Sequence, residues 1–451
     1  MIQKVLIANR GEIALRIIRA CKELNLKTVA VYSTVDELCL HVRFADEAIC
    51  IGPGPSNLSY LSIPAIISAA ELTNADAIHP GYGFLSESSE FSSICSEHDI
   101  IFIGPNPDII NAMGDKAIAK ETMKKVGVPV IPGSNGTIQN VDQGKKLATE
   151  MGFPVILKAS AGGGGKGMRV INSIEEFEPA FGAAQNEALI SFNNNDMYLE
   201  KFLIKPRHIE VQILADTQGN VYALGERECS IQRRHQKMIE ESPSIAIEEN
   251  IRKKMCEAAI LGASAVNYVG AGTIEFLLDS NGDFYFMEMN TRIQVEHPVT
   301  EMVLNTDLVK HQILCHAGIA LPNWMANFSL RGHSIECRIN AEDPDKNFRP
   351  SPGVIKYFHV PGGMGIRVDT HAYAGYTVPP NYDSMIAKLI VHAPTRKEAI
   401  IRMIWALEEC VFEGIKTNIP YQLHILKNDN FISGDIHTGF LDTINYSRGK
   451  L

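Results

Sequence analysis

The spacing of apolar and polar residues changes character along this chain. Near the N-terminus, short apolar runs alternate with helix-length segments. This predicts strands at Lys4–Ala8, Lys27–Tyr32, Ala48–Ile51, Ala75–Ile78 and Ile100–Ile103, and a helix over Glu12–Leu24. Such alternation implies a parallel sheet with crossover helices. The turns after these strands carry Asn9-Arg10-Gly11-Glu12, Gly52-Pro53-Gly54-Pro55 and His79-Pro80-Gly81-Tyr82-Gly83, and ligands of open α/β sheets gather at strand carboxyl ends. Only Ala8-Asn9-Arg10-Gly11 approaches a dinucleotide turn, and it lacks Gly-x-Gly-x-x-Gly. A Rossmann-like shell without NAD is expected.

A helical linker is predicted over Asn111–Val126, and Pro129–Gly136 marks a boundary rich in Pro and Gly. The unit from about Ile131 to Leu203 has its own strands, Pro154–Lys158 and Met168–Ile171, joined by Ala159-Ser160-Ala161-Gly162-Gly163-Gly164-Gly165-Lys166-Gly167. Backbone N–H groups with so little side-chain obstruction can wrap phosphate oxygens. Lys158 and Lys166 bracket the loop with positive charge. It is not a Walker A loop, because Ser160 and Gly167 break that pattern and it joins two strands. A mobile phosphate flap is expected; a plain glycine linker is the alternative.

Beyond it the chain reads as largely antiparallel. His208, Glu210 and Gln212 alternate with Ile209, Val211 and Ile213, then comes a turn at Asp216–Asn220 and a strand at Val221–Leu224. Arg227–Lys237 is rich in cations, which suits either anion handling or a solvated basic loop. Glu336, Arg338 and Asn340 share one face of a later strand, as a functional face or a salt-bridged sheet. The most ordered pattern is Met287–Glu296, where Glu288, Asn290, Arg292, Gln294 and Glu296 alternate with mostly apolar residues. A two-residue Asn281-Gly282 turn would place Glu275 directly opposite Glu288. Like charges so opposed are destabilising unless a cation sits between them. Mg²⁺ suits a few carboxylate oxygens plus phosphates, with Asn290 adding a carbonyl oxygen. An amphipathic surface strand is the plain alternative.

Composition narrows the function classes. The 451 residues are 45% hydrophobic and 21% charged, with a formal charge of −10, so neither nucleic acid nor a membrane is expected as a partner. Nine cysteines without a Cys-x-x-C pair fit reduced thiols in the cytoplasm and not a disulfide framework.

Five segments together carry a family resemblance: Ile7–Ala14, His79–Glu87, Lys158–Met168, Glu228–Lys237 and Phe286–Pro298. On these the chain resembles the biotin carboxylase components of acyl-CoA carboxylases, of the ATP-grasp superfamily. Ala161 and Lys166 stand where that family commonly has Gly and Arg. The resemblance implies an α/β and α+β architecture: a Rossmann-like domain over 1–115, an ATP-grasp domain over 116–330 with a glycine-rich lid at about 131–203, and a largely antiparallel C-terminal domain over 331–451. It implies ATP bound by Lys116, Lys158, Gly164, Gly165, the hinge Glu200, Lys201, Phe202 and Leu203, and the flanking His208 and His235. Glu275, Glu288 and Asn290 would hold Mg²⁺ or Mn²⁺. Lys237, Arg292, Gln294 and Val295 would cradle bicarbonate, Glu296 would act as base, and Arg338 would stabilise the biotin enolate.

No Met-Lys-Met context for biotin attachment appears. Biotin is therefore expected on a separate biotin carboxyl carrier protein, with carboxyltransferase subunits finishing the reaction and a homodimer as the common family assembly. Acetyl-CoA is the expected final acceptor, in malonyl-CoA and fatty acid synthesis. Propionyl-CoA or pyruvate are the alternatives, with another ATP-grasp ligase or a non-catalytic nucleotide-binding regulator as rival readings.

Overall fold

The alternation near the N-terminus folds into a parallel sheet, in a computed structural model that describes residues 2–134, 136–159, 167–192 and 194–446. Its strands are β1 (Lys4–Ile7), β2 (Lys27–Ser33), β3 (Glu47–Gly52), β4 (Ala77–His79) and β5 (Ile101–Phe102), in the order β3-β2-β1-β4-β5. Strand β1 runs parallel to both β2 and β4, and helix α1 (Gly11–Glu23) buries Ile13, Ala14, Ile17 and Ile18. At the carboxyl ends of β1 and β4, Asn9 Nδ2 donates to the carbonyls of Pro80 and Tyr82 at 2.7 and 2.8 Å. Gly81, at φ +66°, permits that approach, since a Cβ there would lie 3.0 Å from the Asn9 amide.

The linker differs from the single expected helix. It is two helices, Pro107–Gly114 and Lys116–Lys125, broken at Asp115. The Asp115 carboxylate accepts from the N–H groups of Ala117 and Ile118 at 2.9 and 3.0 Å. An acid that caps the following helix so well stops the preceding one.

The chain falls into two compact units. One comprises the residues up to Val128, Arg207–Leu277, and those from Glu288 onward; the other comprises Pro129–Pro206 and Leu278–Met287. The second unit holds an antiparallel sheet of β6 (Val155–Ala159), β7 (Met168–Ile171) and β8 (Met197–Lys201), ordered β7-β6-β8. Its core is Val155, Leu157, Ile171, Phe177, Phe181 and Leu199. Ser160–Lys166, including Gly164 and Gly165 of the expected phosphate flap, lies outside the described residues.

The larger unit holds most of an antiparallel sheet. Its strands are β9 (Arg207–Ala215), β10 (Val221–Arg233), β11 (Gln236–Ser242), β12 (Gly270–Leu278), β13 (Phe284–Asn290) and β14 (His333–Asn340), with the strands Ile366–Thr370 and Met385–Ala393. The order runs β13-β12-β9-β10-β11-β14, then Met385–Ala393, then Ile366–Thr370. The cation-rich Arg227–Lys237 segment is therefore a hairpin and not a solvated loop. Its apolar residues Cys229 and Ile231, and Met238 and Ile239 just after it, are buried, and its turn is Arg234–His235, both at positive φ. Among the described residues no helix is long and apolar enough to cross a membrane.

Three buried histidines set an acid limit on this fold. Burial pushes His41 down to about 4 and His79 and His371 to about 3. Below pH 6.5 the unfolded chain takes up protons that these rings refuse in the folded state, so stability falls with pH. By pH 5 each ring costs about 2 kcal/mol. Chemical denaturation at pH 7 and pH 5 should show that loss, and equal midpoints would contradict it.

Candidate active site

Polar side chains converge on buried faces of the central strands, where a sheet normally buries apolar residues. Glu210 and Arg227 are directly opposed across the β9–β10 ladder. Both are fully buried, and the Arg227 Nε–H donates to Glu210. The remaining Arg227 N–H groups reach Gln212 at 2.7 Å, Thr300 at 3.0 Å, Thr273 at 3.1 Å and Gln294 at 3.2 Å. All five donors of the guanidinium are thereby used.

Lys237, on β11, forms the second hub. Its ammonium lies 2.6 Å from Glu210, 2.8 Å from Glu275 and 2.7 Å from Glu296. Three donors meet three carboxylates. Burial alone would lower the Lys237 ammonium, but the carboxylates outweigh it and hold it well above its ordinary value. Glu275 on β12 also accepts from the amides of Asn290 and Gln294 at 2.9 and 2.8 Å, and His208 Nε2 lies 2.9 Å from its other oxygen. Arg338 on β14 bridges Glu240, at 2.5 Å, and Glu296, at 2.9 Å. Burial would raise the Glu296 carboxyl, yet Lys237 and Arg338 hold it well below the usual carboxylate range.

The ordered decapeptide behaves in two parts. Regular strand ends at Asn290, and Glu296 is the N-cap residue of the helix His297–Leu304. Between them the chain leaves the sheet, and the Val295 carbonyl accepts from Lys388 Nζ at 2.7 Å. Lys388 also lies 3.1 Å from Glu12. The Arg292 guanidinium donates to the Glu87 carboxylate at 2.9 Å and to the Asn290 side-chain Oδ1 at 2.9 Å. The hairpin turn departs from expectation. Asp279 N–H donates to the Asp283 carbonyl at 2.9 Å, so the loop is the three residues Ser280–Gly282. The extra residue shifts the register at the turn by one, and a direct Glu275–Glu288 pairing does not follow from it. What joins the hairpin's two polar positions is the Asn290 amide on Glu275. Glu288 is half-buried and lies 3.3 Å from the exposed Lys116.

His235 is exposed at the β10–β11 turn. In the second unit, Lys158 lies 2.5 Å from Glu200. Lys201 Nζ donates to the Gly152 carbonyl at 2.8 Å, and the backbone N–H groups of Lys201 and Phe202 donate to Pro132 and Pro154 at 2.8 and 3.2 Å. Leu203 is partly exposed.

Sequence reasoning passed over Glu87, Glu210, Arg227, Glu240 and Lys388 as site residues. The available signal was period two at Glu210, which stands between Ile209 and Val211, whereas Arg227 stands between Glu226 and Glu228 and carried no such signal.

The cluster can hold an anion against Lys237, Arg292 and Arg338, and its oxygen donors Glu275, Glu288 and Asn290 fit a hard divalent cation. Comparison with known proteins gives this chemistry a family. Residues 1–110 match the biotin carboxylase N-terminal domain, 115–324 the carbamoyl-phosphate synthase L chain ATP-binding domain, and 336–443 the biotin carboxylase C-terminal domain. A biotin carboxylase of Nostoc sp. is 57% identical over 442 residues, covering 98% of this chain and 99% of that one. The Campylobacter jejuni biotin carboxylase structure, an ATP complex, superposes with a TM-score of 0.91 at 52% identity, covering 98% of this chain and 99% of that one. The biotin carboxylase domain of Hydrogenobacter thermophilus 2-oxoglutarate carboxylase, a dimer with MgADP, ADP and bicarbonate, gives 0.89 at 49% identity, covering 98% and 97%. This chain belongs to the biotin carboxylase family, with its ATP-grasp fold.

Proposed function

We propose that this chain carboxylates biotin on a separate carrier protein, using ATP and bicarbonate. The observation that carries the reading is the meeting of Lys237, Arg338 and Glu296, two cations on one buried carboxylate. Bicarbonate is a weak nucleophile that must lose a proton and approach an anionic triphosphate. Lys237, Arg292, Gln294 and Val295 supply the cradle, with Arg292 exchanging its present partners for a planar oxyanion. Glu296 takes the proton. In the resting arrangement it is a poor base, because two cations favour its charged form. An incoming anion that shares Lys237 and Arg338 weakens their hold and makes Glu296 more basic.

ATP binding falls to Lys116, Lys158, Gly164, Gly165, Glu200, Lys201, Phe202, Leu203, His208 and His235. Glu275, Glu288 and Asn290 would hold Mg²⁺ or Mn²⁺, which when bound supplies positive charge to the phosphate oxygens. Glu288→Gln should weaken metal-dependent turnover, with partial recovery at high Mg²⁺ or Mn²⁺; an unchanged metal dependence removes Glu288 from the ligand set.

Attack of bicarbonate on the γ-phosphate gives carboxyphosphate and ADP. Carboxyphosphate releases CO₂ beside biotin, and the phosphate left behind takes the ureido proton. Arg338 stabilises the enolate so formed. Arg338→Ala should lower biotin carboxylation by about 10²-fold, the scale of losing one oxyanion donor, while bicarbonate-dependent ATP cleavage persists. Labelled bicarbonate measures one activity and ADP release the other, and equal loss of both would argue against the enolate role.

The domain boundaries proposed are 1–115, 116–330 and 331–451. The partners proposed are a biotin carboxyl carrier protein, carboxyltransferase subunits and a second copy of this chain, in the cytoplasm. Acetyl-CoA is the proposed acceptor. Isolating the biotinylated carrier and then its carboxyltransferase tests that choice.

A further inference from the structure

Strands β11 and β14 pair so that Glu240 directly faces Glu336. Both are fully buried. Neither oxygen of Glu336 has a hydrogen-bond partner in the structure, nor does Glu240 Oε2, while Glu240 Oε1 accepts from Arg338 at 2.6 Å. The next strand places Ile390 beside Glu336 and Lys388 beside Arg338. An ionised carboxylate in this position would have no donor and a like charge roughly 5 Å away at Cβ.

The charges around the pair make two ionised carboxylates harder still to hold. Arg338 is shared with Glu296, and Lys388 is shared with Glu12 and the Val295 carbonyl. Lys237 is taken by Glu210, Glu275 and Glu296, and Arg227 by Glu210. On the helix after Glu296, the His297 ring is kept neutral by burial, and Glu301 is held by Arg16 and Arg367. Tyr82 donates to Glu12. The carboxyls Glu12, Glu210, Glu240, Glu275, Glu296 and Glu336 outnumber the cations Arg227, Lys237, Arg338 and Lys388, which favours a proton on one of them, and of these six only Glu336 has both oxygens without a hydrogen-bond partner.

We propose that Glu240 and Glu336 share a single proton and that this singly charged pair positions Arg338 against Glu296. The inference rests on the biotin carboxylase reading of the site and names positioning residues that act through Arg338. Titration behaviour agrees with the geometry: burial pushes Glu240 up to about 7 and Glu336 well above the ordinary carboxylate range. A pair bearing one charge anchors Arg338 through Glu240 Oε1 without drawing it away from Glu296. With both charges present, the pair would compete with Glu296 and with the enolate for the same guanidinium. With none, Arg338 would lose its anchor.

The test uses the full chain with Glu336→Gln, Glu336→Ala and Glu240→Gln. Infrared difference spectra at pH 7 should show a protonated-carboxyl C=O band in the native protein that Glu336→Gln removes. Glutamine keeps size and neutrality, so Glu336→Gln should carboxylate biotin within about twofold of native. Glu336→Ala and Glu240→Gln should lose about tenfold or more, the scale of a charge-assisted hydrogen bond. For Glu240→Gln the loss should fall on biotin carboxylation, leaving bicarbonate-dependent ATP cleavage in place. No protonated-carboxyl band in the native protein, or a band unaffected by Glu336→Gln, would overturn the shared proton. Glu336→Gln as inactive as Glu336→Ala would overturn it too, and equal loss of both activities in Glu240→Gln would overturn the positioning role. The infrared readout needs no turnover, so a native protein that fails to carboxylate biotin would sink the functional reading separately.

Discussion

Glu296→Ala should retain ATP affinity and lose bicarbonate-dependent ATP cleavage by about 10²–10⁴-fold, the range of a positioned general base. The substitution also removes the carboxylate that Lys237 and Arg338 share. Freed of it, both cations can bind bicarbonate more tightly, so the loss should appear in kcat with the bicarbonate KM unchanged or lower. Steady-state ADP release against bicarbonate concentration separates these terms. Turnover at the native rate would remove Glu296 from the base role.

The largest effect on stability is expected at Arg227, a side chain that touches no proposed substrate. Arg227→Met leaves Glu210 charged, buried and short of a donor, alongside unsatisfied oxygens on Gln212, Thr273, Thr300 and Gln294. Breaking a buried pair in this way costs about 3–5 kcal/mol. Arg227→Lys should recover little, because an ammonium has three donors and no planar fork. Denaturant midpoints at pH 7 measure both variants. A midpoint for Arg227→Met equal to the native one would show that the hub contributes nothing to folding.

Much of this site was legible in the sequence, for a reason that also marks the limit. Period-two alternation put Glu288 and Asn290 on one face and singled out Arg292, Gln294 and Glu296, and regular strand does end between the two groups. Alternation reports which face a residue takes and says nothing of what faces it. The partners of Lys237 come from β9, β12 and the segment before a helix, a meeting set by sheet order. Strand order was also why the facing of Glu240 and Glu336 passed unnoticed, since β11 and β14 are far apart in the chain. The Asn281-Gly282 signal located the hairpin, but Asp279 and Asp283 close the loop one residue wider than that dipeptide suggests. In Arg227–Lys237 charge density concealed a strand, because its apolar residues are few and the cations at its two ends, Arg227 and Lys237, find buried acids.

Lys388 ties together segments that leave the ribosome at very different times. Its ammonium joins Glu12, near the start of the chain, to the carbonyl of Val295, from a strand made close to the end. A nascent chain that has not yet reached Met385–Ala393 lacks that clasp even when every proposed nucleotide-binding residue has been made. Synthesis order therefore holds back the link between Glu12 and the Val295 carbonyl until Met385–Ala393 has been made.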